Sequence, residues 1–272
     1  MVPSGFDLAR IAVPFRMQPG LQRLAPGARH LTPLAPDSPL WQEKQRVVAA
    51  GASRLAVPGF DAGPAIAAIL AQARAEGLAA QEPIALAFEE DFAVLDGRDG
   101  SLPWLCVCVP SHWAPEDKLG LPFAAVHAPV ADNRALLAAG EHLVQLVTSG
   151  ERFERSVWTV TPSGRYDQHP RRHPRAPWPA TPDPEAFARR CFLRAERQTF
   201  FPVPDAPGQA VFTIRVLLQP LTEAVAGPDQ AARLHAALAS MSEAVLAYKG
   251  LAPARERLLA WLATRMVPAT GA

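Results

Sequence analysis

Cysteine is scarce in this chain: there are three in 272 residues, Cys106, Cys108 and Cys191, and no two stand in C-x-x-C spacing. That pattern excludes a zinc ribbon, a dithiol redox pair and a disulfide framework. Cys106 and Cys108 stand at i and i+2 in WLCVCVP, a spacing that puts both thiols on one face of a strand as buried free cysteines. Excess charge is missing too. Lys plus Arg number 27 against 26 Asp plus Glu, a net +1, so the total charge points neither to nucleic acid nor to an anionic membrane. No apolar run reaches the roughly 18–20 residues that span a bilayer. The start, MVPSGFDLARIAVPF, lacks the pattern of a secretory leader, and the expectation is a soluble, cytoplasmic protein. Walker, G-x-G-x-x-G, H-E-x-x-H and G-x-S-x-G motifs are all absent, which argues against nucleotide hydrolysis, a Rossmann cofactor, a zincin and an α/β-hydrolase.

What remains is a chain 49% hydrophobic, enough for a sizeable core. A helix is expected in SPLWQEKQRVVAAG, capped by Asp37 or Ser38 and stopped by Gly51, and another from Pro64 to Glu76, ending at Gly77. From Ala85 the pattern reads as a hairpin about the turn DGRDG, with the wholly apolar WLCVCVP as a central strand. An amphipathic helix follows over about residues 133–148, then a strand in ERSVWTVTP. The proline-rich run from Tyr166 to Pro184 reads as a long excursion or flexible loop. A second hairpin spans FLRAERQTFFPVPDAPGQAVFTIRVLLQPL, and helices close the chain. Paired hairpins and grouped helices imply an antiparallel α+β fold. The expectation is one domain over residues 1–272, with helical extensions at 1–60 and 226–272.

One stretch breaks the pattern of a half-buried strand. In FLRAERQTFF, alternation places Phe192, Arg194, Glu196 and Gln198 on one side and Leu193, Ala195, Arg197 and Thr199 on the other, so both sides carry charge. Either this is a solvated edge strand with an internal ion pair, or one face meets a polar ligand. Arg215, in VFTIRVLL, is a second oddity, since arginine is seldom buried without an anionic partner.

Among the histidines, His127 in PFAAVHAPV stands out, either as a core imidazole bonded to the backbone or as an axial ligand to iron. His112 reads as surface-facing, His169 and His173 as weak chelators on an unordered loop, His142 and His235 as helical, and His30 as part of an N-terminal loop. Lys118 and Arg175 are ordinary surface charges unless a haem or phosphate lies beside them.

Four stretches taken together, WAPEDKLGLPFAAVHAPV, FLRAERQTFFPVP, QAVFTIRVLLQPL and EAVLAYKGL, resemble the haem-dependent oxidative N-demethylase family over roughly residues 15–250. The resemblance implies a PAS-like core, a five-stranded antiparallel sheet with helices on one side, binding haem b. The histidine of the family's I-H-x-P-V-P pattern falls on His127, implying iron ligation. The pattern R-x-E-R-Q-T falls on Arg194, Glu196, Arg197, Gln198 and Thr199, and F-T-I-R on Phe212 to Arg215. The resemblance further implies that these polar side chains line one haem cavity. Lys118, Arg194 and Arg215 would hold the cofactor with His127. Glu196, Arg197 and Thr199 would act on the substrate, Glu196 gripping its ammonium. The implied activity is that of a monooxygenase that uses dioxygen to demethylate a small, dimethylamine-like amine, releasing formaldehyde.

With no flavin fingerprint or iron–sulfur cysteine set in the chain, that activity implies a separate NADPH-linked flavin or ferredoxin-type reductase as partner. Two departures stand out: Ala131 replaces the proline that closes the histidine motif, and the run from Tyr166 to Pro184 is unusually rich in Pro, Arg and His. Two other classes stay open, a PAS-like haem sensor and a haem-free small-molecule binding protein.

Overall fold

The computed structural model describes residues 5–80 and 82–266; the two ends of the expected domain, residues 1–4 and 267–272, lie outside them. Seven strands form a single antiparallel sheet: β1 (Gln22–Arg23), β2 (Arg54–Ala56), β3 (Asp91–Asp96), β4 (Trp104–Cys106), β5 (Phe153–Thr161), β6 (Phe192–Pro202) and β7 (Gln209–Pro220). Their order is β1-β5-β6-β7-β3-β4-β2. Eleven α-helices accompany them among the described residues: α1 (Pro39–Ala49), α2 (Gly63–Ala75), α3 (Ile84–Ala87), α4 (Phe123–His127), α5 (Arg134–Ala138), α6 (Gly140–Val147), α7 (Pro184–Ala188), α8 (Leu221–Ala224), α9 (Pro228–Ala239), α10 (Glu243–Lys249) and α11 (Arg255–Met266). The chain is thus a single-domain α+β protein.

Both expected hairpins form. β3 pairs with β4 through a turn in which Asp96 and Asp99 each accept a backbone N–H two residues on, as Asx turns do. β6 pairs with β7 along its whole length, and Gly208, at φ +83°, supplies the left-handed residue the connecting turn needs. Ser38, not Asp37, caps α1 through its Oγ, which accepts the Trp41 N–H at 3.1 Å.

Three expectations change. β4 is not central; it lies second from the edge, with β2 paired along its outer side and its side chains buried in clusters on the two faces of the sheet. The single helix expected over 133–148 breaks into α5 and α6 at Ala139–Gly140. The proline-rich run is an ordered excursion: the Glu43 carboxylate accepts the N–H groups of Tyr166 and Asp167, and Asp167, Gln168 and His169 are all buried. The N-terminal segment is also more than a helical extension, because it supplies both edge strands, β1 and β2.

Helices pack on both faces of the sheet, where a PAS-like core implied one. On one face Trp158, Val160, Leu193 and Ala195 meet Phe187 of α7, Leu234 of α9 and Trp261 of α11. Farther along the same face, Phe92, Val94, Trp104, Cys106 and Phe201 meet α1 to α3. Truncating a fully buried side chain such as Trp261 to alanine would cost about 3–5 kcal/mol. On the opposite face α6 contributes Val147 to a smaller cluster with Leu95, Phe153 and Phe200.

Candidate functional site

Strand register divides the polar residues of β6 into two groups. Arg194, Glu196 and Gln198 lie opposite Thr159, Val157 and Arg155 of β5 and opposite Leu218, Val216 and Ile214 of β7; directly paired residues share a face. Arg197 and Thr199 lie on the other face, with Thr213 and Arg215 as partners.

That second face is complete within the protein. Arg197 donates to Glu154 through Nε at 3.0 Å and to the Arg29 carbonyl at 2.8 Å. Arg215 Nε donates to Glu89 at 2.6 Å. Thr199 contacts Thr213 at 2.7 Å and His30 Nδ1 at 2.9 Å. The one cavity implied for all these groups is therefore not what the register produces: Arg197, Thr199 and Arg215 stand behind the sheet from Arg194 and Glu196.

His127 ends the short helix α4. Its Nδ1 lies 2.8 Å from the Phe123 carbonyl, an acceptor only, so Nδ1 carries the proton and Nε2 keeps its lone pair. No group among the described residues hydrogen-bonds to that Nε2. Burial lowers the His127 pKa, and the charges of Arg155 and Lys118 lower it further against the opposing bond to Phe123, so the neutral ring holds at pH 7. The imidazole lies against the Phe123 ring with centroids 4.0 Å apart and the planes tilted by 30°. Around it, Lys118 Nζ donates to the Val126 carbonyl at 3.1 Å and Asn133 Nδ2 to the His127 carbonyl at 3.0 Å. Gly140 matters here: a Cβ at that position would stand 2.9 Å from the Phe123 ring, so the absence of a side chain there lets the ring sit where it supports the imidazole.

Glu196 is held rather than paired. Ser111 Oγ donates to its Oε1, and Gln198 Nε2 donates to Oε2 at 2.7 Å. Arg194 Nε donates to the same Ser111 Oγ at 2.7 Å, and its remaining nitrogens donate to the carbonyls of Val109 and Arg165. Arg194 thus fastens the loop after β4 to the sheet and hands its charge to Glu196 through a hydroxyl. His112, expected on the surface, is half-buried at φ +60°. Burial, aided by the charges of Arg175 and Arg194, lowers its pKa to about 4, leaving it neutral. Burial and the Glu196 charge raise the pKa of Tyr248. Arg155 and Tyr248 also belong to this region, since each feels the charge of the other and of Glu196.

Reading the sequence for function missed Ser111, His112, Arg155 and Tyr248. Arg155 had a signal of the kind that exposed Arg215, a charge inside an alternating strand. Tyr248 lies in EAVLAYKGL and Ser111 directly before His112, stretches whose individual residues offer no pattern.

Among the described residues, the others weighed from the sequence form no hydrogen bond to His127 or Glu196. Arg175 is exposed and packs over Gly250, where a Cβ would clash with its Nη1. His169 is buried, its Nε2 3.0 Å from Glu116 and its Nδ1 accepting the Arg171 N–H. His173 lies 3.4 Å from Asp167. Among the described residues no three of His, Cys, Asp and Glu gather to hold a bare metal ion. Two surface clefts, of about 740 Å³ beside α9 and about 180 Å³ beside α1, include neither His127 nor Glu196.

The donor set suits a haem. A neutral imidazole, oriented through Nδ1 by a carbonyl and open at Nε2, would suit a ligand to haem iron. Near enough for its charge to be felt at this imidazole is the guanidinium of Arg155, whose buried Nε has no hydrogen-bond partner and which in turn feels the Glu196 carboxylate. The sequence of residues 70–259, well over half of the chain and the segment that carries β3 to β7 and every group of this site, matches the family model described as haem-dependent oxidative N-demethylase, alpha subunit-like, and the chain belongs to that family.

Proposed function

We propose that this chain is the haem-carrying subunit of an oxidative N-demethylase, with His127 Nε2 as the ligand of haem b and Glu196 as the anchor for a small methylated ammonium. The observation that carries this reading is the imidazole on α4, whose Nδ1 proton is committed to the Phe123 carbonyl while Nε2 stays open. When bound, haem supplies dioxygen activation and, with two electrons, the oxidation that releases a methyl group as formaldehyde.

The chain's own residues orient and hold. Phe123 fixes the imidazole by its carbonyl and its ring, and Lys118 and Asn133 tie down the carbonyls around it. Ser111 and Gln198 hold the Glu196 carboxylate, so that a protonated amine meets an aligned acceptor and gains a charge-assisted hydrogen bond. Neutral His112 adds no competing charge. Arg194, which spends its donors on carbonyls and Ser111, acts as a positioning residue. Arg197, Thr199 and Arg215 support the sheet from behind. The dimethylamine-like substrate is what the resemblance to the family implies, and a single aligned carboxylate, Glu196, suits the one ammonium of such an amine. Buried cysteines without cluster spacing support an electron supply from a separate NADPH-linked flavin or ferredoxin-type reductase, and three reduced thiols suit a cytoplasmic setting. The inner strands β4-β3-β7-β6-β5 place the first and last of the five side by side, which supports the PAS-like core.

The test is an absorption spectrum of the protein purified with haem available, beside a His127→Ala variant. A Soret band that moves on reduction and is lost or altered in the variant is expected. A folded wild-type protein with no Soret band and no uptake on titration overturns the reading.

A further inference from the structure

Nearly every well-buried cation of this protein has an internal answer to its charge. Lys44 meets Asp91 at 3.0 Å, Arg172 meets Asp167 at 2.8 Å, Arg197 meets Glu154 at 3.0 Å and Arg215 meets Glu89 at 2.6 Å. Arg194 lacks a carboxylate contact but fills its donors with two carbonyls and a hydroxyl. Arg155 has neither. It makes no ion pair and no hydrogen bond among the described residues, and its Nε is closed off from solvent.

An arginine keeps its charge at any physiological pH and presents five donors in a planar fork. Closing a guanidinium N–H off from water with no acceptor is costly; Arg155 as a whole is half-buried, and burial pulls its pKa down against the attraction of Glu196 and Tyr248. The position is informative. Arg155 lies directly opposite Gln198 and diagonal to Glu196, a separation of roughly 7–8 Å between such positions in an antiparallel pair, and its charge is felt at His127. The missing counter-charge therefore belongs on the same face as the imidazole and the amine anchor.

We infer that Arg155 is the seat of a carboxylate brought in by the ligand. This rests on the reading of the site given above and extends it. A carboxylate can arrive there in two ways: as a side-chain propionate of haem, or as the carboxyl group of an N-methylated amino acid whose ammonium sits on Glu196. In both cases the fork of Arg155 gains paired charge-assisted hydrogen bonds, one of them at the Nε that water does not reach.

Haem b and its dimethyl ester, which differ only in the charge of the propionates, are titrated into wild type, Arg155→Leu and Arg155→Lys. The haem-loaded proteins are then titrated with dimethylamine and with N,N-dimethylglycine, following the Soret band. If the carboxylate is a propionate, wild type binds haem about tenfold or more tighter than the ester, Arg155→Leu loses that preference and Arg155→Lys keeps part of it. If it belongs to the substrate, haem and ester bind wild type alike, and dimethylglycine binds about tenfold tighter than dimethylamine until Arg155 is removed. The ester comparison needs no variant, so a misfolded Arg155→Leu does not spoil it. Equal binding of acid and ester together with no preference for dimethylglycine overturns the inference. Should wild type take up no haem at all, the N-demethylase reading falls separately. Calorimetric titration of the colourless protein with dimethylglycine then decides the carboxylate seat: binding that needs Arg155 upholds it, and no binding overturns it.

Discussion

Lowering the pH should strip stability from this protein through His30, and the loss has a calculable slope. His30 is 1% exposed and takes part in a directed chain: Arg152 Nη1, which only donates, lies 2.9 Å from Nε2, so Nε2 accepts. Nδ1 therefore carries the proton and donates to Thr199 Oγ1, which passes its own to Thr213. A second proton on the ring would face the Arg152 guanidinium. Burial, then the charges of Arg152 and Arg197, lower the pKa from 6.5 to about 3. The unfolded chain takes up this proton below about pH 6.5 and the folded chain does not, so the stabilising difference is fully present above pH 6.5 and is lost as pH falls towards about 3. Each unit costs about 1.4 kcal/mol, so the loss at about pH 4.5 is about 2.7 kcal/mol relative to neutral pH. His30→Gln keeps one donor and one acceptor but cannot titrate. Urea unfolding of both proteins between about pH 7.5 and 4.5 should give a wild-type stability that falls more steeply by this slope. Parallel curves would refute the assignment of the neutral, hydrogen-bonded ring.

Three further perturbations probe the architecture and the site. Lys44→Met leaves the Asp91 carboxylate, 1% exposed, without its cation, and should cost about 3–5 kcal/mol in urea unfolding; a loss below about 1 kcal/mol would contradict it. Gly140→Ala should gain nearly 1 kcal/mol of helix propensity, yet its Cβ would press on the Phe123 ring at 2.9 Å, an overpacking cost of about 1–3 kcal/mol. The expected result is weaker haem uptake without a rise in melting temperature, and a more stable variant with wild-type uptake counts against the role of Phe123. Glu196→Gln should raise the dissociation constant for a methylated amine by about tenfold to a hundredfold, the worth of a hydrogen bond to a charged group, while the haem spectrum stays the same; unchanged amine binding removes Glu196 from the site.

Much of the fold was legible because its longest elements carry strong local signals. The β6–β7 hairpin has eleven paired positions and a glycine at its turn, and α1 has a serine cap followed by proline. What was not legible depended on partners distant in sequence. β1 and β2, of two and three residues, are too short to show a period and exist because β5 and β4 offer unpaired backbone beside them. The run from Tyr166 to Pro184 reads as unordered because prolines remove donors, but its first N–H groups are held by Glu43, more than a hundred residues earlier, and the next by Pro110 and Asp167. The split at Ala139–Gly140 falls where a Cβ would meet the Phe123 ring, a contact that local helix propensity does not include.

The two faces of β6 show the same limit at the level of function. Glu196 and Arg197 are neighbours of opposite charge, and the local pattern gives no reason to separate them. Register does separate them, and accounting for partners then distinguishes their roles. Arg197 ends on Glu154 and a carbonyl, and Thr199 ends on His30 and Thr213, so that face needs nothing from outside. On the other face the His127 Nε2 lone pair has no partner among the described residues, and the Arg155 Nε has no acceptor. Unmet groups of opposite need on one surface, an electron pair and a cation, are what a ligand with a metal centre and a carboxylate satisfies. A strand that looked anomalous because both faces were polar thus combines one face closed by internal ion pairs with one left incomplete. Polarity alone does not locate the site; unmet groups of opposite need gathered on one face point to it.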